Sequence, residues 1–241
     1  MSGVGVSSAS PNVPGPDGFG PDGFAGTMAD IKPRLRGWLH TYAALVSLVS
    51  GATLISVSAA LRGAAAGVST ALYSITVTLM FGTSALYHRY RWQARAHQLM
   101  KRLDHSMIFV FIAGTYTPIT VLGLRGAARP LLLLVVWTGA LVGVCLQTMW
   151  PDAPRGLSVP CYIGLGWVAL FALPELLHHG GATAVTLVAL GGLVYTAGGV
   201  VYALKRPDPV ATVFGYHEVF HLCTLVAAAF HYVAIWLIVF A

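Results

Sequence analysis

Five residues have the types and the spacing to hold a metal ion and to do hydrolytic chemistry beside it: Ser84, His88, Asp104, His217 and His221. His217 and His221 are four apart, so on a helix they share one face, and that spacing lets two imidazoles reach one zinc. His88 could supply a third nitrogen from another helix, and three protein ligands plus a water is the open coordination of a catalytic zinc. Asp104 could accept a hydrogen bond from that water. Ser84, one turn before His88, lies on the same helix face. Imidazole donors favour zinc and leave iron, cobalt or manganese open. Taken singly, each residue has an ordinary reading: His88 as an interfacial residue at a helix end, Asp104 as a helix N-cap, and the histidine pair as a coincidence of spacing.

His217-Glu218-Val219-Phe220-His221 also fits H-E-x-x-H, in which the glutamate is the general base of a metalloprotease. Glu218 is the last acidic residue of the chain, so no later carboxylate can act as third ligand, and the better third donor, His88, is far upstream. Glu218 is therefore expected to face a neighbouring helix or the membrane interface. His231 lies about 15 Å further along the same helix, too deep to share the ion, and is expected to be a hydrogen-bonded bundle residue. His105 adjoins Asp104 but points roughly 100° away on a helix. His40, His97, His178 and His179 read as interfacial or loop residues.

The elements that must position these residues follow from composition. The chain has 241 residues, of which 56% are hydrophobic and 9% charged, whereas a soluble domain carries about 25% charged residues. The apolar excess must face lipid. Apolar runs long enough to cross the hydrocarbon occupy 38–60, 67–87, 105–123, 130–149, 157–177, 182–204 and 217–240. They are too long and continuous for outer-membrane strands, so the fold class expected is an all-α, polytopic seven-transmembrane-helix bundle in the cell (plasma) membrane.

Eleven cations (Lys32, Arg34, Arg36, Arg89, Arg91, Arg95, Lys101, Arg102, Arg155, Lys205 and Arg206) fall on one side of that topology, and Arg62, Arg125 and Arg129 on the other. The positive-inside rule puts the first group, and the N-terminus, in the cytoplasm and Ala241 outside. His88, Asp104 and His217 then sit at three helix ends on the cytoplasmic side, at one depth. Ionisable groups in membrane helices are costly, and their grouping at one depth favours the metal reading over the separate ordinary ones.

The net charge of +6 is explained by these loops, not by nucleic acid; the partner expected is membrane lipid. Cys145, Cys161 and Cys223 each lie in an apolar run without a C-x-x-C pair and read as buried thiols. Residues 1–32 are rich in Gly, Pro and Ser, with Pro16-Asp17-Gly18-Phe19 nearly repeated at Pro21-Asp22-Gly23-Phe24. They read as a disordered segment ahead of a transmembrane domain over 33–241. Pro118 is expected to kink the third helix. Gly191-Gly192 and Gly198-Gly199 should permit close helix packing, and Trp38, Tyr90, Trp92 and Trp150 look like interfacial anchors.

At these residues the sequence resembles the hemolysin III family, the bacterial branch of the progestin and adipoQ receptor superfamily. The resemblance is carried by Phe81-Gly82-Thr83-Ser84-Ala85-Leu86-Tyr87-His88, Leu103-Asp104-His105-Ser106, Ala113-Gly114-Thr115-Tyr116-Thr117-Pro118 and His217-Glu218-Val219-Phe220-His221, and spans the chain from about Pro33 onward. It implies a seven-helix bundle with zinc near the cytoplasmic face, held by His88, His217 and His221, with Asp104 acting through a water and Ser84 beside the site. Eukaryotic relatives are receptors, and related alkaline ceramidases cleave a lipid amide. The bacterial name comes from haemolytic activity, and other members are linked to membrane-lipid homeostasis.

Three activities are consistent with these residues. The leading one is a zinc-dependent hydrolase of a lipid amide or ester, with Asp104 as general base and Ser84 bonding the developing oxyanion. The alternative is a non-catalytic protein stapled by zinc and serving membrane homeostasis. A cytolytic pore has little support, because no run carries the long charged stripe of a water channel. A retinal protein is excluded by the absence of lysine from the seventh run.

Overall fold

A computed structural model describes residues 33–150 and 152–241; the segment expected to be disordered, 1–32, lies outside the described residues. The chain forms α1 (Trp38–Arg62), α2 (Ala64–Arg89), α3 (Ala94–Gly123), α4 (Ala128–Met149), α5 (Arg155–Trp167) continued by a 3-10 turn (Val168–Phe171), α6 (Leu173–Leu204) and α7 (Tyr216–Phe240). Among the described residues, six helices are long and apolar enough to cross a membrane; α5 is the shorter, seventh one.

Sequence neighbours pack side by side, α7 returns to α1, and α3 also touches α5, α6 and α7. The result is a closed ring with α3, the most buried of the six long helices, toward its middle. The helices are inside-out relative to a soluble bundle. On α1, Leu45, Val46, Leu48 and Val49 face outward, whereas Ser47, Gly51 and Ser58 are buried. Large apolar groups lose nothing by facing lipid, and small or polar residues let helices approach and bond. Ser47 Oγ lies 2.9 Å from Thr78 Oγ1 across the α1–α2 contact, and the Tyr232 hydroxyl donates to the Ser50 carbonyl at 3.0 Å across the α1–α7 contact.

Gly63 alone turns α1 into α2, at φ 82 and ψ −173, a conformation a side chain rarely adopts. The glycine pairs of α6 do what the sequence suggested. Gly191 packs on His231 and Gly198 on Cys223, both of α7, while Gly199 packs on Val159 and Ile163 of α5. The three cysteines are free, in keeping with their reading as thiols outside any disulfide framework, but none is buried as expected: Cys145 is exposed and Cys161 and Cys223 are half-buried.

One expectation is corrected. α3 begins at Ala94, not near residue 105. Arg95, Lys101 and Arg102 mask the helix from a hydropathy reading, yet Ala96, Met100 and Asp104, four apart, turn one face inward. Asp104 is thus inside a helix and not an N-cap. The break expected near 178–181 is present: Gly181, at φ 80 and ψ 160, is non-helical and divides α6 into two stretches, while an irregular 3-10 turn falls earlier. Pro118 lies inside α3, which is helical from Ala94 to Gly123. Before α5, the Lys101 ammonium donates to Asp152 Oδ1 at 2.7 Å, and that bond holds the Asp152 carboxyl below the usual carboxylate range.

A Cβ on Gly114 would lie 2.8 Å from Thr76 Cβ across the α2–α3 contact, whereas one on Gly82 meets nothing within 4 Å. Gly114→Ala should destabilise the bundle by about 1–3 kcal/mol through overpacking, and Gly82→Ala should leave it unchanged. Thermal unfolding of the two variants in detergent checks this, and equal midpoints would refute the α2–α3 register described.

Candidate metal centre

Three elements bring the predicted ligands together. The last turn of α2 carries Ser84 and His88, both buried. α3 presents Asp104 well inside its helix, and the first turns of α7 carry His217 and His221. The ligating nitrogens of His88, His217 and His221 all lie within 4.8 Å of one another, and the Nε2 atoms of His88 and His217 are 3.1 Å apart. Two nitrogens bound tetrahedrally to one zinc at the usual bond length would be about 3.3 Å apart, so the His88–His217 pair is compatible with that ion. The three histidines lie close enough to hold a metal.

Asp104 Oδ2 is 3.8 Å from His88 Nε2, and Ser84 stands beside the same carboxylate. Asp104 and Ser84 therefore flank the histidines without being among the nearest donors. His105 turns its Nδ1–H to the Lys101 carbonyl at 2.8 Å. His231 lies apart from the cluster and donates Nε2–H to the Val188 carbonyl at 3.1 Å, the bundle role expected of it. His178 and His179 are exposed, and His97 lies against Tyr87.

The start of α7 is fixed by a set of bonds that the sequence did not disclose. Glu218 is 1% exposed. It accepts the Gly215 N–H at 2.9 Å through Oε2 and forms an ion pair with Arg36 through Oε1. Asp208 Oδ1 accepts the Tyr216 N–H at 2.8 Å. The backbone before α1 is stitched to the same loop, with Arg34 N–H on the Thr212 carbonyl at 3.1 Å and Leu35 N–H on the Val213 carbonyl at 3.2 Å. Gly37, at φ 83, lets this segment pass His88: a Cβ there would lie 3.0 Å from His88 Cβ. The Glu218 carboxylate is thus bound to Arg36 and to a helix-end N–H, which leaves the H-E-x-x-H protease reading without its base.

His40 overturns its reading as an interfacial residue. It is 2% exposed and stacks flat on His221, with ring centroids 3.8 Å apart and planes at 8°. Neither of its ring nitrogens has a hydrogen-bond partner. Nothing in the spacing around His40 connects it to His221; the one available signal was a histidine within an otherwise apolar run.

His217 and His221, with His40, Ser84 and Asp104, line one end of a cavity of about 130 Å³ whose walls come mainly from α3, α5, α6 and α7. Its walls are mostly apolar, among them Ile108, Ile112, Val159 and Ile163, and it reaches as far as Tyr195 and His231. A second cavity of about 80 Å³ continues past His231 toward Leu173 and Leu176. A chain-like apolar ligand would fit such a passage, with its polar end among the histidines.

Hemolysin-3 of Bacillus cereus is 29% identical over 167 residues, 69% of this chain and 76% of that protein. The hemolysin-3 homolog of Bacillus subtilis (strain 168) is 29% identical over 180 residues, 74% of this chain and 84% of that protein. More distantly, the monocyte to macrophage differentiation factor of Homo sapiens is 24% identical over 169 residues, 68% of each chain. With six helices fit to cross a bilayer, these relatives make the chain a multi-pass protein of the cell membrane. The model of the family described as haemolysin-III related matches residues 28–232, a span that holds every residue of the histidine cluster, and the chain belongs to that family.

Proposed function

We propose that the protein is a zinc-dependent intramembrane hydrolase of a lipid amide or ester. The observation that carries this reading is the convergence of three histidines, a carboxylate and a hydroxyl at one end of an apolar cavity. His88, His217 and His221 would hold the zinc, which when bound supplies Lewis acidity toward a carbonyl and a water of lowered pKa. Asp104 takes the proton of the attacking water and returns it to the leaving amine or alcohol. Ser84, beside Asp104, orients that carboxylate or donates to the oxyanion. The apolar wall holds the acyl chain and keeps bulk water from the reacting carbonyl.

A second reading has a specific observation behind it. The ligands come from α2 and α7, so a metal there would staple two helices whether or not chemistry follows. On that reading the protein serves membrane homeostasis without turnover, and Asp104 is dispensable.

The same proposal carries a topology. Residues 155–180, interrupted only by the 3-10 turn, form the fifth of seven crossings, which ends where Gly181 breaks the helix. The cation-rich loops and the histidine cluster lie in the cytoplasm, and Ala241 lies outside. A reporter active only outside the cell should work when fused after Ala241, and activity of a cytoplasm-only reporter there would overturn the orientation.

Elemental mass spectrometry of the detergent-purified protein should find about one zinc per chain, lost from the His217→Ala/His221→Ala double variant. Asp104→Asn should keep the metal while cleavage of a lipid-amide and lipid-ester panel falls roughly 10²–10⁴-fold. Full cellular function in a metal-loaded Asp104→Asn protein would instead favour the staple. Glu218→Gln should loosen the first turn of α7 and weaken zinc binding by about tenfold or more in chelator competition. Unaltered affinity would show that the Arg36–Glu218 tie does not orient the ligands.

A further inference from the structure

The geometry points to a second binding site inside the main cavity: Tyr195 and His231 form a subsite for a hydroxyl group carried on the chain of a long amphiphile, remote from the metal centre. The inference rests on the lipid reading of the cavity and deepens it by naming the kind of chain.

Around the middle of the cavity, most polar groups already have partners. The Tyr116 hydroxyl donates to the Gly166 carbonyl at 2.5 Å and accepts the Ala169 N–H at 2.6 Å. Trp167 Nε1–H donates to Thr196 Oγ1 at 2.9 Å, and the Thr196 hydroxyl donates to the Gly192 carbonyl at 2.7 Å. The Thr115 hydroxyl donates to the Phe111 carbonyl at 2.9 Å. Away from the metal centre, where His40 also lacks partners, two groups of this wall have none: the Tyr195 hydroxyl and His231 Nδ1. Both atoms are covered from water, and their rings adjoin, with centroids 5.5 Å apart. A buried polar atom without a partner loses its hydration and gains nothing in return, so each one calls for an explanation.

The required chemistry follows from the bond His231 does make. Its Nε2 faces the Val188 carbonyl, which can only accept, so Nε2 carries the proton. In the neutral ring Nδ1 is then an acceptor and needs a donor. The phenol of Tyr195 can donate to the same incoming atom. A hydroxyl meets both needs on one oxygen, donating to His231 and accepting from Tyr195. A carbonyl has no proton for His231, and an ammonium has no lone pair for Tyr195. Gly191 keeps space for the imidazole, since a Cβ there would lie 2.5 Å from its Cδ2. His231 follows His221 by ten residues on α7, which puts the subsite about 15 Å from the metal-binding histidines. A lipid whose carbonyl sits at the histidines would present a mid-chain hydroxyl here, and not one next to the carbonyl.

The test is displacement of a fluorescent fatty acid from the purified, zinc-supplied protein by three competitors: octadecanoic acid, the same acid with a mid-chain hydroxyl, and the same acid with the hydroxyl beside the carboxyl. The mid-chain hydroxy acid should bind about tenfold tighter than octadecanoic acid, the worth of a well-made hydrogen bond in an apolar site, and the third acid should show no such gain. Tyr195→Phe and His231→Leu should each abolish the preference for the mid-chain hydroxy acid over octadecanoic acid. Tyr195→Phe should also leave thermal stability unchanged or raised, because it removes an unpaired hydroxyl. Binding of all three acids with equal affinity, a preference that survives both variants, or a loss of stability in Tyr195→Phe would overturn the subsite and leave the lipid reading standing. Failure of all three acids to displace the probe would overturn both.

Discussion

The first turn of α7 is where the architecture closes. Glu218 reaches back to the Gly215 N–H and across to Arg36, and the backbone before α1 pairs with the loop before α7. This joins the beginning of the helical ring to its end. At the opposite end of the same two helices, the Arg62 guanidinium donates to the Val239 carbonyl at 3.3 Å. With both ends of α1 and α7 tied, the ring can enclose α3, and the turn carrying His217 and His221 meets the end of α2 at a fixed height. An ion pair of this kind contributes little when it is exposed. Here one partner is almost wholly buried, so breaking the tie would leave a carboxylate without its counter-charge, which is far more costly than the pair is stabilising.

Enclosing α3 has a consequence for the interior. A central helix that touches most of the others needs small residues or intrahelical partners for its polar groups. α3 has both: Gly114 lies against Thr76, and the Thr115 and Thr117 hydroxyls donate to carbonyls one turn earlier. α5 contributes less to the core, with only Ser158 and Val159 buried along its helical part. Where α5 and α6 meet, glycines stand in place of larger side chains, and the space left behind them is the cavity. Each glycine pair divides the work: Gly191 and Gly198 let α6 approach α7, while their neighbours Gly192 and Gly199 line the cavity beside α5.

Much of this was legible in the sequence, because lipid imposes a simple rule on it. Apolar runs read as 38–60, 130–149 and 217–240 match α1, α4 and α7 to within a few residues. The histidine cluster was legible because alternating crossings put the end of α2 and the start of α7 on one side, and so brought His88 to the depth of His217 without any contact information. The missing parts have physical reasons. The amphipathic start of α3 is half polar, and a hydropathy reading averages its buried face away. His40 and Arg36 act through partners 181 and 182 positions distant in sequence, and neither has a local pattern that names the partner.

Glu218 shows how position within a helix changes the meaning of a motif. In the interior of a helix every N–H bonds the carbonyl four residues back, so a glutamate between two ligating histidines has no backbone donor to take and its carboxylate is free for chemistry. In the first turn those N–H groups are unbonded, and a glutamate three residues after the cap is well placed to fold back on one. His217 lies in the first turn of α7, which makes Glu218 the third residue after the cap Gly215. The five-residue pattern is therefore the same as in a metalloprotease, but the start of the helix turns its glutamate from a base into a fastening. In the hydrolase proposed above, the proton-accepting role would fall to a carboxylate on another helix, and Asp104, 3.8 Å from His88 in the interior of α3, is the one positioned to take it.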